Sequence, residues 1–491
     1  MKKLIIILIV TLGISVESCK KLEEYNIDTK SASVVPSSTL FSDALRNLVD
    51  QENTPNVNLN VFRLFAQNWT ETTYTDESNY DVTARQIPDF EFRNIYRNVL
   101  SNLKESKRVI ATEPGPESTS PDRATLEEKK NKTAVTEILT VYAFQREVDI
   151  FGNIPYDQAL DINNLAPAYE DAQTIYSKLF ARLDAAIADI NDTIDNGFGG
   201  FKAGDLIYQG NMVQWKKFAY SLKLKMAITV ADVAALNPGA KAADAVSGGA
   251  FTSSADNANF QYLNATPNTN PVNDELVNTG RHDFVAANTI VDIMDSLNDP
   301  RMPLYFEDNL GAGVYVGGIY GESSPYGDYT HVSPTIQEPD YPATLISYTE
   351  VQFYLAEAAA RGFIAGSAET FYNAAITSSI VDDWGGTAGD AAAYLANPSV
   401  AFTTAPGTDL EKIGLQAWIA YYNRGLLGWT TWRRLDTPTF NLPPAASLYS
   451  DIPKRLTYPS TEQTLNGSNY SGAAAAIGGD LLTTRLFWDI H

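Results

Sequence analysis

The chain has 491 residues, length for about three domains at ~150 residues each, and 44% of them are hydrophobic, so a large core can form. Charged residues make up only 19%, and 59 acidic residues against 36 basic ones leave a net charge of -23. That balance, with no basic run longer than three, excludes a phosphate-binding surface for nucleic acid and a polybasic surface for anionic lipid. One cysteine excludes an intramolecular disulfide and a cysteine-based zinc site. The three histidines, His282, His331 and His491, form no His-Glu-x-x-His, which excludes helical zinc-protease chemistry.

At the N-terminus Lys2 and Lys3 precede an almost unbroken apolar run from Leu4 to Ile14. The run is too short to span ~30 Å of hydrocarbon and has the anatomy of a secretory signal. It leads into Val16-Glu17-Ser18-Cys19, which resembles a bacterial lipobox, although Glu17 stands where a small residue is commoner. The chain's one cysteine thus sits where a lipid would be attached. The expected organisation is a signal peptide over residues 1–18, a lipid-anchored tether over 19–40, and a single domain over 41–491. The anchor would be the only membrane attachment, since no other stretch approaches ~18 consecutive apolar residues.

Beyond the tether the chain reads as helix from Ser42, with Leu45 and Leu48, and later Val61, Leu64 and Phe65. Residues 67–87 are polar, aromatic and without period, which reads as a loop. Phe90 to Ile110 returns to helix. Ile138, Val141, Phe144, Val148 and Phe151 recur at helical spacing before Gly152 and Pro155. Ile175 to Ile190 and Trp215 to Val230 form further stripes. Tyr348–Gly362 and Ala368–Ile380 read as a helix pair around Gly366, and Leu410–Trp432 reads as one last helix. Each apolar stripe needs a partner to cover it, so the pattern predicts a helical-repeat scaffold over 90–235 and 345–435. Loop-rich parts fall at 67–87, 251–342 and 440–491.

The sequence holds no Gly-x-Ser-x-Gly elbow, phosphate loop or dinucleotide fingerprint. Neither a metal nor a cofactor is expected. Acid pairs such as Asp76-Glu77 and Asp382-Asp383 read first as solvated surface. The aromatic and amide content says more. Flat rings stack on the apolar faces of sugars, while amides and carboxylates bond to the hydroxyls. Asn68, Trp69, Tyr74, Asp76, Asn79 and Tyr80 supply both kinds of group in one loop, with core packing as the competing role of Trp69. Tyr320 and Tyr326, in a glycine-rich stretch with Tyr315, and Trp384, beside Asp382-Asp383, are further candidates for ligand contact.

The helical blocks together resemble the SusD/RagB-like outer-membrane nutrient-binding lipoproteins. The resemblance is carried by Tyr142-Ala143-Phe144-Gln145 with Phe151 to Tyr156, by Trp215 to Lys225, and by Asn298-Asp299-Pro300-Arg301. It continues through Glu350 to Ala358, Gln416-Ala417-Trp418 to Trp432-Arg433-Arg434, and Arg455 to Pro459 with Glu462, Asn466, Asn469 and Tyr470. Tyr220 and Lys225 depart from it, where Asn and Arg are expected.

The resemblance implies a mainly α fold with four tetratricopeptide-like helix pairs and a loop-rich region facing ligand and partner. It implies a surface lipoprotein that captures oligosaccharide or polysaccharide without catalysis and hands it to a SusC-like TonB-dependent transporter. The alternatives are a peptide- or protein-capturing member of the same fold and, further off, a lipid-anchored glycosidase. Glu357, mid-helix among alanines, needs a buried partner, and Arg433 or Arg434 is the expected one.

Overall fold

The structure is a computed structural model that describes residues 35–120, 122–444 and 451–491. The signal sequence, Cys19 and most of the tether lie outside the described residues. Helix α1 spans Ser37–Asn53, and α2 (Ile87–Asn94) continues through a π turn at Ile95–Leu100 into α3 (Ser101–Thr112). Then come α4 (Leu126–Phe151), α5 (Ala172–Asp189), α6 (Met212–Thr229) and α7 (Pro238–Gly248). They are followed by α8 (Asn288–Ser296), α9 (Tyr348–Ala360), α10 (Ala368–Ser378) and α11 (Ala388–Leu395). The last long ones are α12 (Asp409–Ala420), α13 (Gly425–Leu435) and α14 (Gly467–Ala476). The packed pairs α4/α5, α6/α7, α9/α10 and α12/α13 form the scaffold, and α1 lies against α3.

Local chemistry sets these boundaries. Thr125 and Glu128 cap α4 reciprocally: Glu128 N–H donates to Thr125 Oγ1 at 3.1 Å, and Thr125 N–H donates to Glu128 Oε2 at 2.7 Å. Gly152 ends α4 at φ 84°, a conformation that a side chain disfavours. Asp171, Asn211 and Ser347 cap α5, α6 and α9 with side-chain oxygens. The stripe Ile138, Val141, Phe144, Val148 and Phe151 is buried, as are Trp215, Phe218, Leu222 and Met226 on α6.

The segment expected as one helix from Leu410 to Trp432 is two, broken at Tyr421–Arg424. The cause is a close approach: a Cβ on Gly425 would come within 2.3 Å of the Arg63 nitrogen. The break also frees Arg424 to donate to the Leu345 carbonyl at 2.6 Å. Two further expectations need correction. The 67–87 loop contains a strand, β1 (Trp69–Glu71), and the irregular stretch 251–342 contains α8.

Strands are short. β2 (Ile154–Pro155) pairs with β3 (Tyr169–Glu170), and β4 (Asn259–Phe260) precedes β5 (Phe284–Ala286) and β6 (Ala343–Thr344). β4 pairs with β6, and β1 pairs antiparallel with β5 in the register Trp69–Ala286, Thr70–Val285 and Glu71–Phe284. Among the described residues no helix is long and apolar enough to cross a membrane.

Charge in the core ties the repeats together. Glu357 on α9 accepts from Arg434 at 2.9 and 2.8 Å and from Arg361 at 2.9 Å, and Arg361 is itself held by Asp232. Arg433 does something else. Its guanidinium lies 3.6 Å from the Trp429 ring centroid and 4.8 Å from that of Trp488, and donates to the Asp149 and Lys454 carbonyls. Burial opposes the Glu357 charge, but Arg434 and then Arg361 hold its carboxyl below the usual carboxylate range. A depressed folded-state pKa contributes stability above the unfolded value of 4.5 that is lost as pH falls. Glu357→Ala should therefore cost about 3–5 kcal/mol by stranding Arg434, and the deficit should shrink on acidification. Chemical denaturation from neutral to acidic pH checks this, and an unchanged melting curve at neutral pH would refute it.

Candidate functional site

The β1–β5 ladder builds a surface groove. Its hydrogen bonding runs one residue past the strands: Thr72 N–H donates to the Asp283 carbonyl at 2.9 Å, and Thr72 Oγ1 donates to the His282 carbonyl at 2.7 Å. The two chains then diverge. One side presents Tyr74 and the other Arg281 and Asp283, across a groove of about 160 Å³ closed by the turn after α1. In that turn Asn58 donates to Asn56 Oδ1, and Asn56 Nδ2 donates to Glu275 at 2.7 Å. Arg281 donates to Asp283 on the rim. Tyr74 is 67% exposed. An exposed ring ringed by amides, a guanidinium and carboxylates can stack on one face of a flat ligand and bond to its edge.

Beneath the groove lies a carboxyl pair. Glu71 accepts from Ser78 N–H at 2.9 Å and Ser78 Oγ at 2.8 Å, and Arg85 donates to the buried Glu77. Burial, and then the hydrogen bond and charge of Glu77, push the Glu71 carboxyl up to about 9. Glu71 therefore holds its proton at neutral pH.

At the adjoining rim three rings stack. His282 and Tyr326 lie 4.2 Å apart at 24°, and Tyr326 and His331 lie 3.6 Å apart at 13°. His331 is fixed at both ring nitrogens, facing Glu307 Oε2 at 2.9 Å and the Tyr326 carbonyl at 2.8 Å. His282 is exposed and lies between the groove residues Arg281 and Asp283 in the chain, while the stacked rings themselves do not line the groove.

The residues singled out in the sequence divide sharply. Trp69 (1% exposed), Tyr80 (0%) and Tyr320 (1%) are core. The Trp69 ring lies against Phe284 and under Arg63, Tyr80 meets Phe65 and Tyr320, and the Tyr320 hydroxyl donates to the Leu64 carbonyl at 2.8 Å. Their expected role as ligand platforms is corrected: none offers a face to solvent. Asn68 is buried with them, so it too cannot meet a ligand. Asn79 bridges the Thr75 and Gly321 carbonyls at 2.7 Å each and holds the loop shut. Asp76 is exposed and caps the turn through its backbone carbonyl. Tyr74 faces the groove, and Tyr326 stacks between His282 and His331 outside its lining. Trp384, half-buried and tilted on Tyr305 at 4.3 Å, lines a separate cavity. Sequence reasoning missed Asn56, Asn58, Arg281, His282 and Asp283. The run Asn53, Asn56, Asn58, Asn60 and the concentration of two of three histidines in the irregular region were the available signals.

Residues 29–459 match the SusD-like family described as "Starch-binding associating with outer membrane". The chain belongs to this family. Solved structures agree in fold over nearly the whole length. A chitin-binding protein is 25% identical with a TM-score of 0.77, covering 93% of this chain and 100% of that one. A SusD homologue from Bacteroides uniformis is also 25% identical, with a TM-score of 0.75 and coverage of 92% and 99%. A chitin-binding SusD homologue from Flavobacterium johnsoniae is 22% identical, with a TM-score of 0.75 and coverage of 92% and 99%. No curated protein matches the sequence. The SusD-like scaffold is thus the helix-pair framework described above, and the groove lies in its loop-rich part.

The Glu71 carboxyl yields a signed prediction. A folded-state pKa raised above the unfolded 4.5 means that the folded state holds an extra proton between about 4.5 and 9. Its stabilising contribution is complete below 4.5 and is lost as pH rises through 9. Glu71→Gln, which copies the protonated form, should gain stability over the parent progressively across that window. Calorimetric melting at a series of pH values reads it, and parallel curves for the two proteins would contradict it.

Proposed function

We propose that this SusD-like chain captures an oligosaccharide or polysaccharide at the bacterial surface and hands it, without catalysis, to a SusC-like TonB-dependent outer-membrane transporter. The observation that carries the reading is the groove itself: the exposed Tyr74 opposite Arg281 and Asp283, with Asn56 and Asn58 at one end. This is the aromatic-plus-amide composition that sugar rings require. The starch-binding description of the family and the chitin-binding relatives support a glycan ligand. Binding without hydrolysis is supported by the state of the groove carboxylates. Asp283 is tied to Arg281 and Glu275 to Asn56, and the protonated Glu71 is buried beneath the groove, whereas glycoside hydrolysis needs an acid and a second carboxylate presented to one bond.

Anchoring through Cys19 is supported by the lipobox-like run and by the family's association with the outer membrane. Several acyl chains on one terminus hold a protein durably, where one chain is marginal. Cys19→Ala should release the protein from the membrane fraction and abolish incorporation of labelled palmitate. Retention at wild-type levels would show attachment by other means.

Titration calorimetry against soluble starch, chitin oligosaccharides and other polysaccharides tests the cargo. Tyr74→Ala should weaken binding about tenfold or more, as loss of a stacked ring does. Trp69→Ala should instead lower the melting temperature, by the about 3–5 kcal/mol of a lost core tryptophan. Affinity for peptides with none for any glycan would replace the sugar reading by the peptide one.

A further inference from the structure

On the other side of the turn after α1 lies a second, larger space of about 220 Å³ that the groove does not use. Its half-buried members, the Trp384 and Tyr341 rings, and the exposed Asn259 mark where it opens. At its depth Lys225 and Arg424 flank Glu350 at 3.2 and 2.7 Å. The Glu350 side chain is fully covered, while Lys225 keeps 12% and Arg424 22% of theirs exposed. The cations therefore face the cavity and the acid stands behind them. The wall is built and rigid. Buried Arg63, which forms no ion pair with a carboxylate among the described residues, donates to Asn423 Oδ1 at 3.0 and 3.2 Å and to the Asn53 carbonyl at 3.0 Å. Both asparagines line the cavity.

We propose that this cavity is a second binding site, which receives a single neutral sugar ring at the end of a glycan chain. It rests on the reading of the protein as a glycan receptor. The volume is small beside the ~300–1,000 Å³ of drug-sized pockets, which suits one ring and excludes an oligosaccharide. Rings at the opening match an apolar sugar face, and inward-facing N–H donors match hydroxyl oxygens. The lining holds as many carboxylates (Glu52, Asp149, Asp382 and Asp383) as cations (Arg146, Lys225, Arg424 and Arg434), and Glu350 and Glu357 stand behind the cations, so the site does not demand an anionic ligand. The two sites are neighbours along the chain. Asn53 lines the cavity and Asn56 the groove, and three residues span at most about 11 Å.

Titration of the purified protein with glucose, galactose and N-acetylglucosamine, followed by ligand-observed NMR and calorimetry, tests the site. At least one of the three should bind. Trp384→Ala, which removes the rim ring, and Thr344→Tyr, which blocks the opening from a half-exposed strand position, should each weaken that binding about tenfold or more. Thr344→Tyr keeps every core side chain, so it reports the site even where Trp384→Ala lowers the melting temperature. Tyr74→Ala should weaken oligosaccharide binding and spare the monosaccharide. Wild-type monosaccharide affinity in Thr344→Tyr, loss of it only in Tyr74→Ala, or no monosaccharide binding beside intact oligosaccharide binding would overturn the cavity site and leave the receptor reading in place. Absence of binding to monosaccharides and oligosaccharides alike would remove both.

Discussion

Helix α9 carries two buried carboxylates two turns apart, and the architecture hangs on them. Glu350 meets Lys225 from α6 and Arg424 from the break between α12 and α13. Glu357 meets Arg434 from α13 and Arg361, which reaches Asp232 beyond α6. One helix thus fixes α6, α13 and the break before α13 by charge as well as by packing. Apolar stripes alone specify that helices pack but leave sliding by a turn inexpensive. A buried ion pair does not, because a slipped register strands a charge at a cost of several kcal/mol. In this protein the pairs define which turn of α9 faces which turn of α13.

The same logic explains why α4 is buried on nearly every side. Its apolar stripe covers one face, while Gln145, Arg146, Glu147 and Asp149 are also inside. Arg146 is ringed by Glu52, Glu91 and Glu147, and burial followed by the charge of Glu91 drives the Glu147 carboxyl well above its usual range. Asp149 receives the Tyr176 hydroxyl at 2.6 Å and the Trp488 indole at 3.0 Å. The C-terminal segment is drawn in by these groups, and Arg455 clamps it to the end of α4 through the Phe151 carbonyl. A scaffold with so many interior polar groups accommodates a polar cavity at its centre with little further desolvation.

Much of the framework was legible because helix periodicity and capping are local. Ile138 to Phe151, Ile175 to Ile190 and Trp215 to Val230 each name a helix from spacing alone, and Gly152 marks a true end. What was not legible depended on contacts between distant segments. Leu410 to Trp432 is continuous in pattern and broken in space because Gly425 must pass the Arg63 backbone. The strand Trp69–Glu71 has no alternating pattern because both its faces are covered, and only its partner, more than two hundred residues on, makes it a strand.

The candidate ligand loop shows the same limit at finer grain. Composition put Trp69, Tyr74 and Tyr80 in one class, and burial divides them. A ring buries 150–250 Å², so the core claims every aromatic that the backbone directs inward. Trp69 and Tyr80 hold the loop against Phe284, Phe65 and Tyr320, and it is their burial that keeps Tyr74 outside on a fixed base. The proposed recognition surface is therefore sparser in aromatics and richer in amides and charge than its sequence suggests. One presented ring and a rim of Asn56, Arg281 and Asp283 leave most of the specificity to hydrogen bonding. Hydrogen bonds discriminate hydroxyl configuration, whereas stacking alone accepts any flat ring, so the polar rim is where one glycan would be told from another.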